Sequence, residues 1–232
     1  MNWLGRIFGK SPQLSISQQA TLDAFQNLPG CDKNTRLTAQ RFVVVDVEST
    51  GLNLSRDQLI SIGAVTVVDC VLQLGRCFEV VLQQHQPSSV DNILIHGIDG
   101  TTQTTGKDPV DGLLDFLAFA GNAPLIAYHA GFDRTMINRA TKKFLGMAIA
   151  NPWIDLAFIA PALYPELAPG RHALDDWTSV FNIENLNRHN AVADACATAQ
   201  LFLVMLARAW STGFITLRDL IETDKAQRWL TR

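Results

Sequence analysis

The stretch Phe42-Val43-Val44-Val45-Asp46-Val47-Glu48-Ser49-Thr50-Gly51 decides how this chain is read. Its first four residues are apolar and three are β-branched, which predicts a strand buried on both faces. Asp46 and Glu48 close the strand. Two apart on a strand, they share a face with Cα atoms roughly 6–7 Å apart. A pair of ionised acids at the end of an apolar strand is costly unless positive charge lies between them. A hard divalent cation suits carboxylate oxygens; a solvated strand-end pair is the plainer alternative. Ser49-Thr50-Gly51 then turns the chain, and Gly51 can take a positive φ that brings backbone N–H groups toward a ligand.

Working outward, residues 59–68 and 77–82 are two further β-rich runs. With turn-like links that include Asp69 and Gly75, they complete an expected three-strand meander. Helical spacing follows at 108–120, a short apolar strand at 124–127, and helices at 133–145, 153–163, 174–180, 190–210 and 216–230. Three strands and then alternating helices and strands around one sheet indicate an α/β layered domain. Residues 1–40 read as a separate helical arm, with one helix within 11–27 that Leu28-Pro29-Gly30 ends. Residues 41–232 read as the main domain. Trp3, Leu4, Ile7 and Phe8, with Arg6 and Lys10, form a mildly amphipathic start that allows a membrane-surface contact.

The bulk numbers narrow the function classes. A net charge of −3 gives no general pull toward nucleic acid, so a polyanion must be met by a local basic face or by bound cations. The four cysteines lack CxxC pairing, which disfavours zinc ribbons and disulfide frameworks and points to a reducing, cytoplasmic setting. The apolar run 191–210 carries Asp194, Gln200 and Arg208, so no transmembrane segment is expected. Oligomeric state is not encoded in any pattern.

Two more segments carry chemistry. Asp133 follows the strand 124–127 and falls in the first turn of the next helix, near the positive end of its dipole; an ordinary helix-start acid is the alternative. In His189-Asn190-Ala191-Val192-Ala193-Asp194, Asn190 is a good N-cap. His189 then lies in the loop before the helix, and Asp194 just over a turn inside it. The small Ala191, Ala193 and Ala195 let that helix lie close to the sheet. A histidine titrates in the range that suits proton abstraction near neutral pH.

Together, Val45 to Leu52, Ala127 to Asp133 and His189 to Asp194 resemble the three motifs of the DEDD superfamily of 3′→5′ exonucleases, in its DnaQ-like, histidine-containing (DEDDh) branch. Ile95-His96-Gly97-Ile98 also resembles a recurring segment of that family. The resemblance implies an RNase H-like fold: a mixed five-stranded sheet flanked by helices. It implies two Mg²⁺ or Mn²⁺ ions held by Asp46, Glu48, Asp133 and Asp194, with His189 as general base. It puts Ser49, Thr50, Gly51 and Leu52 beside the terminal nucleotide, with His96 as a further contact. Arg134, Arg139, Lys142, Lys143 and Arg188 could guide a strand, or form a solvated face.

One departure stands out. The family usually has His-Asn before the Ala of the second motif, where this chain has Tyr128-His129; His129 thus stands at a position that often touches substrate or steadies the first motif. Ser49 for the usual Thr is milder. The expected activity is release of 5′-mononucleotides from single-stranded 3′ ends of DNA or RNA. The alternatives are a proofreading subunit with a DNA polymerase or repair partner, and a catalytically weak nucleic-acid-binding module of the same fold.

Overall fold

The computed structural model describes residues 13–185 and 187–231. The amphipathic start at Trp3, Leu4, Ile7 and Phe8 lies outside them. Five strands form one sheet, β1 (Phe42–Ser49), β2 (Leu59–Val68), β3 (Val71–Val81), β4 (Leu125–Ala127) and β5 (Trp153–Asp155), in the order β3-β2-β1-β4-β5. The β1–β2 and β2–β3 pairs are antiparallel, and the β1–β4 and β4–β5 pairs are parallel. This is the mixed five-stranded sheet of the RNase H-like fold that the motifs imply.

Strand alternation builds two cores. Val43, Val45 and Val47 face one side, where they meet α4 (Pro109–Ala120) and α5 (Gly131–Leu145). Phe42 and Val44 face the other, under α6 (Leu156–Leu163), α8 (Ala191–Ser211) and α9 (Leu217–Leu230). Phe42 packs edge-on against Phe202 of α8, with ring centroids 4.9 Å apart. By the same alternation, Asp46 and Glu48 continue the Phe42 and Val44 face, so the acidic end of β1 points toward the start of α8. Helix α8 is long and apolar enough to cross a membrane by length and composition, but its apolar residues are packed over β1 and β2 in this second core.

Several local expectations need correction. Strand β3 begins at Val71, because residues 69 and 70 make the tight turn themselves: Asp69 and Cys70 both take positive φ. Gly75 therefore sits within β3 rather than at a turn. The helix expected over 153–163 is a strand followed by a helix. Trp153, Ile154 and Asp155 pair with β4, and Asp155 caps α6 by accepting from Ala157 N–H. Residues 83–107, which show no periodic pattern, hold two short helices, α2 (Val90–His96) and α3 (Gly100–Thr104). Both are too short for periodicity to reveal, although Ser89 and Asp99 cap them. Upstream, α1 (Ile16–Gln26) is capped by Ser15 and packs near α4, with Leu22 buried and Gln18 donating to Asp111. Helix α7 (Leu174–Val180) starts the segment that leads to α8.

One glycine lets the two layers meet the acids. Gly63 of β2 pairs directly with Asp46 and lies under the first turn of α8. A Cβ placed there would come within 2.2 Å of the Ala191 carbonyl carbon and 2.3 Å of Val192 N. Both are backbone atoms that cannot swing aside. Gly63→Ala is expected to lift the start of α8 from the sheet, at a cost of about 1–3 kcal/mol. Thermal melting should show the loss; an unchanged midpoint would mean that α8 does not rest on this residue.

Candidate active site

The site lies at the carboxyl ends of the parallel neighbours β1 and β4, where ligands commonly bind in open α/β sheets. Asp46, Glu48 and Asp194 each offer an oxygen, and these atoms lie within 4.8 Å of one another. Two come from one strand face. The third comes from α8, whose first turn Gly63 seats beside them. Asp194 is only 4 % exposed. Asp133, also 4 % exposed, reaches the same end of β1 from the first turn of α5, close enough to the Val47 N–H to feel it.

Crowding raises the acids. Burial pushes Glu48 up to about 8, reinforced by Asp194 and Asp133 and opposed by Arg188. Burial also takes Asp133 to about 8, with its own and the Val47 backbone N–H opposing and Asp155 adding to the rise. Asp46 is raised well above the carboxylate range, first by burial and then by Asp133, Glu48 and Asp194. Such a set fits divalent cations by its chemistry: hard oxygen donors, converging, with more negative charge than the protein neutralises.

His189 is in the loop just before α8, exposed and at φ +62°. Its backbone N–H donates to Asp194 Oδ2 at 2.9 Å. Asn190 is the N-cap, accepting from Ala193 N–H at 3.0 Å. The imidazole thus stands at the rim while its own backbone is tied to a site acid.

The first-motif turn is held from several sides. Ser49 Oγ donates to the Gly51 carbonyl at 2.6 Å, and Asn92 of α2 donates to the Ser49 carbonyl at 2.7 Å. Thr50 Oγ1 donates to Asp57 and accepts from Gln58 N–H. A Cβ at Gly51 would sit 2.5 Å from Asp57 Oδ2 and would push aside the carboxylate that holds Thr50. Leu52 is 86 % exposed beside this turn.

Two expected substrate contacts are engaged elsewhere. His96 is 5 % exposed; its Nδ1 accepts the Ile98 N–H at 3.0 Å, which leaves Nε2 to face Ser88 Oγ at 3.3 Å. The fully buried Gln103 completes this network through Ser88 and the Ile98 carbonyl. Both ring nitrogens of His96 thus have partners within the fold, at the α2–α3 connection. His129, at φ +59°, approaches the His172 carbonyl at 3.1 Å, and Tyr128 OH donates to the same carbonyl at 3.0 Å. Both departing residues of the second motif turn to the loop before α7.

The basic groups also divide. Arg139 donates to the carbonyls of Leu54, Ser55 and Asp57, clamping the loop after the first motif. Arg188 bridges Asp175 and Asp194. Neither is a free guide for a strand, whereas Arg134, Lys142 and Lys143 are exposed. Sequence reasoning misses Gly63, Asn92, Asn185 and Asp175. A lone glycine inside an apolar strand is a usable signal for close backbone approach. Nothing in the pattern marks the other three.

The exonuclease family (RNase T) matches residues 43–202, from the first residues of β1 through the middle of α8. The chain belongs to that family. Within it the chain falls in the DnaQ-like DEDD group of 3′→5′ exonucleases, a group that uses divalent metal ions. Among relatives, the DNA polymerase III PolC-type of Bacillus subtilis (strain 168) is 36 % identical over 192 residues, covering 82 % of this chain and 13 % of the relative. The PolC-type polymerase of Caldanaerobacter subterraneus subsp. tengcongensis is 32 % identical over 179 residues, covering 77 % of this chain and 12 % of its own. The chain thus spans about an eighth of the length of these relatives. Among solved structures, E. coli exonuclease I in complex with a dT13 oligonucleotide superposes with a TM-score of 0.64 at 17 % identity, covering 75 % of this chain and 42 % of that one. Exonuclease X in complex with 5′ overhanging duplex DNA gives 0.61 at 18 % identity, covering 79 % of this chain and 99 % of that one. At these identities the structural likeness speaks to the fold, and the family match carries the membership.

The raised carboxyls make the metal-free protein sensitive to pH. Unfolded, Glu48 and Asp133 titrate near 4.5 and 3.8; folded, near 8. Between these limits the folded state holds protons that the unfolded state has released. Stability therefore falls as pH rises from about 4.5 to about 8. In EDTA, the melting midpoint is expected to be lower at pH 8.5 than at pH 6, by about 2–4 °C for each kcal/mol lost. Added Mn²⁺ should restore it at pH 8.5. A midpoint that rises with pH in EDTA would contradict this electrostatic picture.

Proposed function

We propose that this exonuclease hydrolyses the terminal phosphodiester of single-stranded 3′ ends of DNA or RNA, releasing 5′-mononucleotides. The observation that carries the reading is the convergence of Asp46, Glu48 and Asp194 within 4.8 Å, with His189 at the rim. Asp46, Glu48 and Asp194, joined by Asp133 from α5, would hold two Mg²⁺ or Mn²⁺ ions. When bound, such ions make water a better nucleophile and offset the charge that develops on the departing 3′ oxygen.

The chain's own residues do the rest. The His189 ring takes a proton from the attacking water, and its exposed loop passes that proton to solvent. The water oxygen bonds to phosphorus as the bond to the 3′ oxygen breaks, and that oxygen takes a proton from solvent, leaving a 5′-monophosphate and a shortened strand with a 3′ hydroxyl. The turn Ser49-Thr50-Gly51, braced by Asn92 and Asp57, borders the terminal nucleotide, and Leu52 offers an apolar side chain to its base. Residues 41–232 would carry this activity as the exonuclease domain, with residues 1–40 as a separate arm whose described part packs through Leu14 and Leu22.

The PolC-type relatives favour a second, compatible reading, in which the same chemistry edits ends made by a DNA polymerase. The two part on substrate: an editing enzyme prefers a mispaired primer end over a matched one, whereas a general trimming enzyme prefers free single strands and accepts RNA. Incubation with 5′-labelled DNA and RNA oligomers, with Mg²⁺, Mn²⁺ or EDTA, tests both. A ladder shortening from the 3′ end, abolished by EDTA, is expected; its absence on every substrate would overturn the reading.

Asp46→Ala is expected to abolish turnover while the circular dichroism and melting of the metal-free protein are kept or improved, because one crowded acid is gone. Full nuclease activity in that variant would remove the site. His189→Ala should slow the chemical step roughly 10²–10⁴-fold with Mn²⁺ binding retained. Single-turnover rates measured near neutral pH decide this; an unchanged rate would exclude His189 as the base.

A further inference from the structure

Arg188 stands one residue before the proposed base and forks between two carboxylates. One guanidinium nitrogen lies 2.8 Å from Asp194 Oδ1, and the other lies 2.9 Å from Asp175 Oδ2. The two acids come from different elements, Asp175 from the first turn of α7 and Asp194 from the first turn of α8. They also differ in setting. The Asp175 side chain is exposed, so that link is weak, whereas Asp194 is buried and its link is the stronger. Asn185 also donates to the oxygen that Arg188 holds, and the His189 N–H takes the other. Both Asp194 oxygens are thus engaged by protein donors, although Asp194 is one of the three acids whose oxygens converge.

A neutral donor can share a carboxylate oxygen with a metal ion, since the oxygen has more than one lone pair. A guanidinium cannot do so without bringing two positive charges together. We propose that Arg188 is an internal counter-cation that competes with the divalent ion for Asp194, so that loading the site displaces Arg188 from Asp194 while Asp175 retains it at the rim. The inference rests on reading the acidic trio as the ion site. It makes Arg188 a regulator of that site. In the ion-free protein it holds the Asp194 carboxylate and the His189 loop in place, and it raises the ion concentration at which the site fills.

The test is direct Mn²⁺ binding to the full chain, followed by the electron paramagnetic resonance of free Mn²⁺ at pH 8, without substrate. Wild type, Arg188→Gln, Arg188→Ala, Arg188→Lys and Asp46→Ala are compared. Loss of the competing charge should tighten Mn²⁺ binding about 3- to 10-fold in Arg188→Gln and Arg188→Ala, while Arg188→Lys stays close to wild type. A merely structural prop would move the other way, because losing it would loosen the site and weaken ion binding. Should Arg188→Ala fail to fold, Arg188→Gln keeps the donors and decides the matter alone. Equal or weaker binding in Arg188→Gln overturns this inference by itself, provided wild type binds Mn²⁺ and Asp46→Ala does not. Wild type that binds no Mn²⁺, or binding indifferent to Asp46→Ala, overturns the ion site and this inference with it.

Discussion

The structure depends on the repulsion among four carboxylates gathered at the end of one strand. Such a cluster disfavours folding unless each acid is compensated, and the compensation is uneven. Asp133 has the positive end of the α5 dipole and lies near the Val47 N–H. Asp194 has Asn185, Arg188 and the His189 N–H. Among the described residues, no hydrogen-bond donor reaches the Asp46 or Glu48 side chains, and these are the two that one strand face aims into the same space. The pair least served by the protein is therefore the pair on which a cation has the most to act. A converging set in which two acids lack protein donors is what a site built around added positive charge requires.

Geometry follows from two simple periodicities and one missing side chain. Strand alternation puts Asp46 and Glu48 on the face that buries Phe42 and Val44 under α8. The helix starts at Asn190, so its first turn carries Asp194 toward that face. Gly63, opposite Asp46, lets the backbone of Ala191 and Val192 settle on the sheet. Any side chain at that position would hold the helix away and open the acidic cluster. The large core beneath makes the arrangement stiff: Trp177, Phe202 and Met205 are fully buried on the same side. The precision of the site is thus a property of the packing under α8 more than of the loops around it.

Much of this is legible in the amino-acid sequence alone, for physical reasons. A β-branched apolar run marks β1 as a buried strand, although its two terminal acids alone leave a solvated strand end open, and Asn190 marks the start of α8 as an N-cap. What is not legible depends on contacts between distant residues. Trp153 to Asp155 read as helix because three residues are too few to show a period, and only their pairing with β4 makes them a strand. The burial of His96 is likewise not legible, because its motif says nothing of Ser88, Gln103 and the Ile98 N–H, which enclose it. Arg139 and Arg188 read as free cations because their partners, backbone carbonyls in one case and Asp175 and Asp194 in the other, lie far off or carry no mark in the sequence.

The replacement of the usual second-motif pair by Tyr128-His129 shows how such distant contacts shift a role without losing it. The Asn normally at the second position often steadies the first motif, and His129 does not: it turns with Tyr128 to the His172 carbonyl. In this chain the first motif is steadied by other hands. Asn92 holds the Ser49 carbonyl from α2, Asp57 holds Thr50, and Arg139 pins the loop that carries Asp57. The buried His96, Ser88 and Gln103 network in turn fixes the end of α2 from which Asn92 reaches. Meanwhile the Tyr128 and His129 contacts secure the segment entering α7, whose Asp175 anchors Arg188 beside the His189 loop. The Tyr128-His129 pair thus braces the segment that leads to the third motif in place of the first.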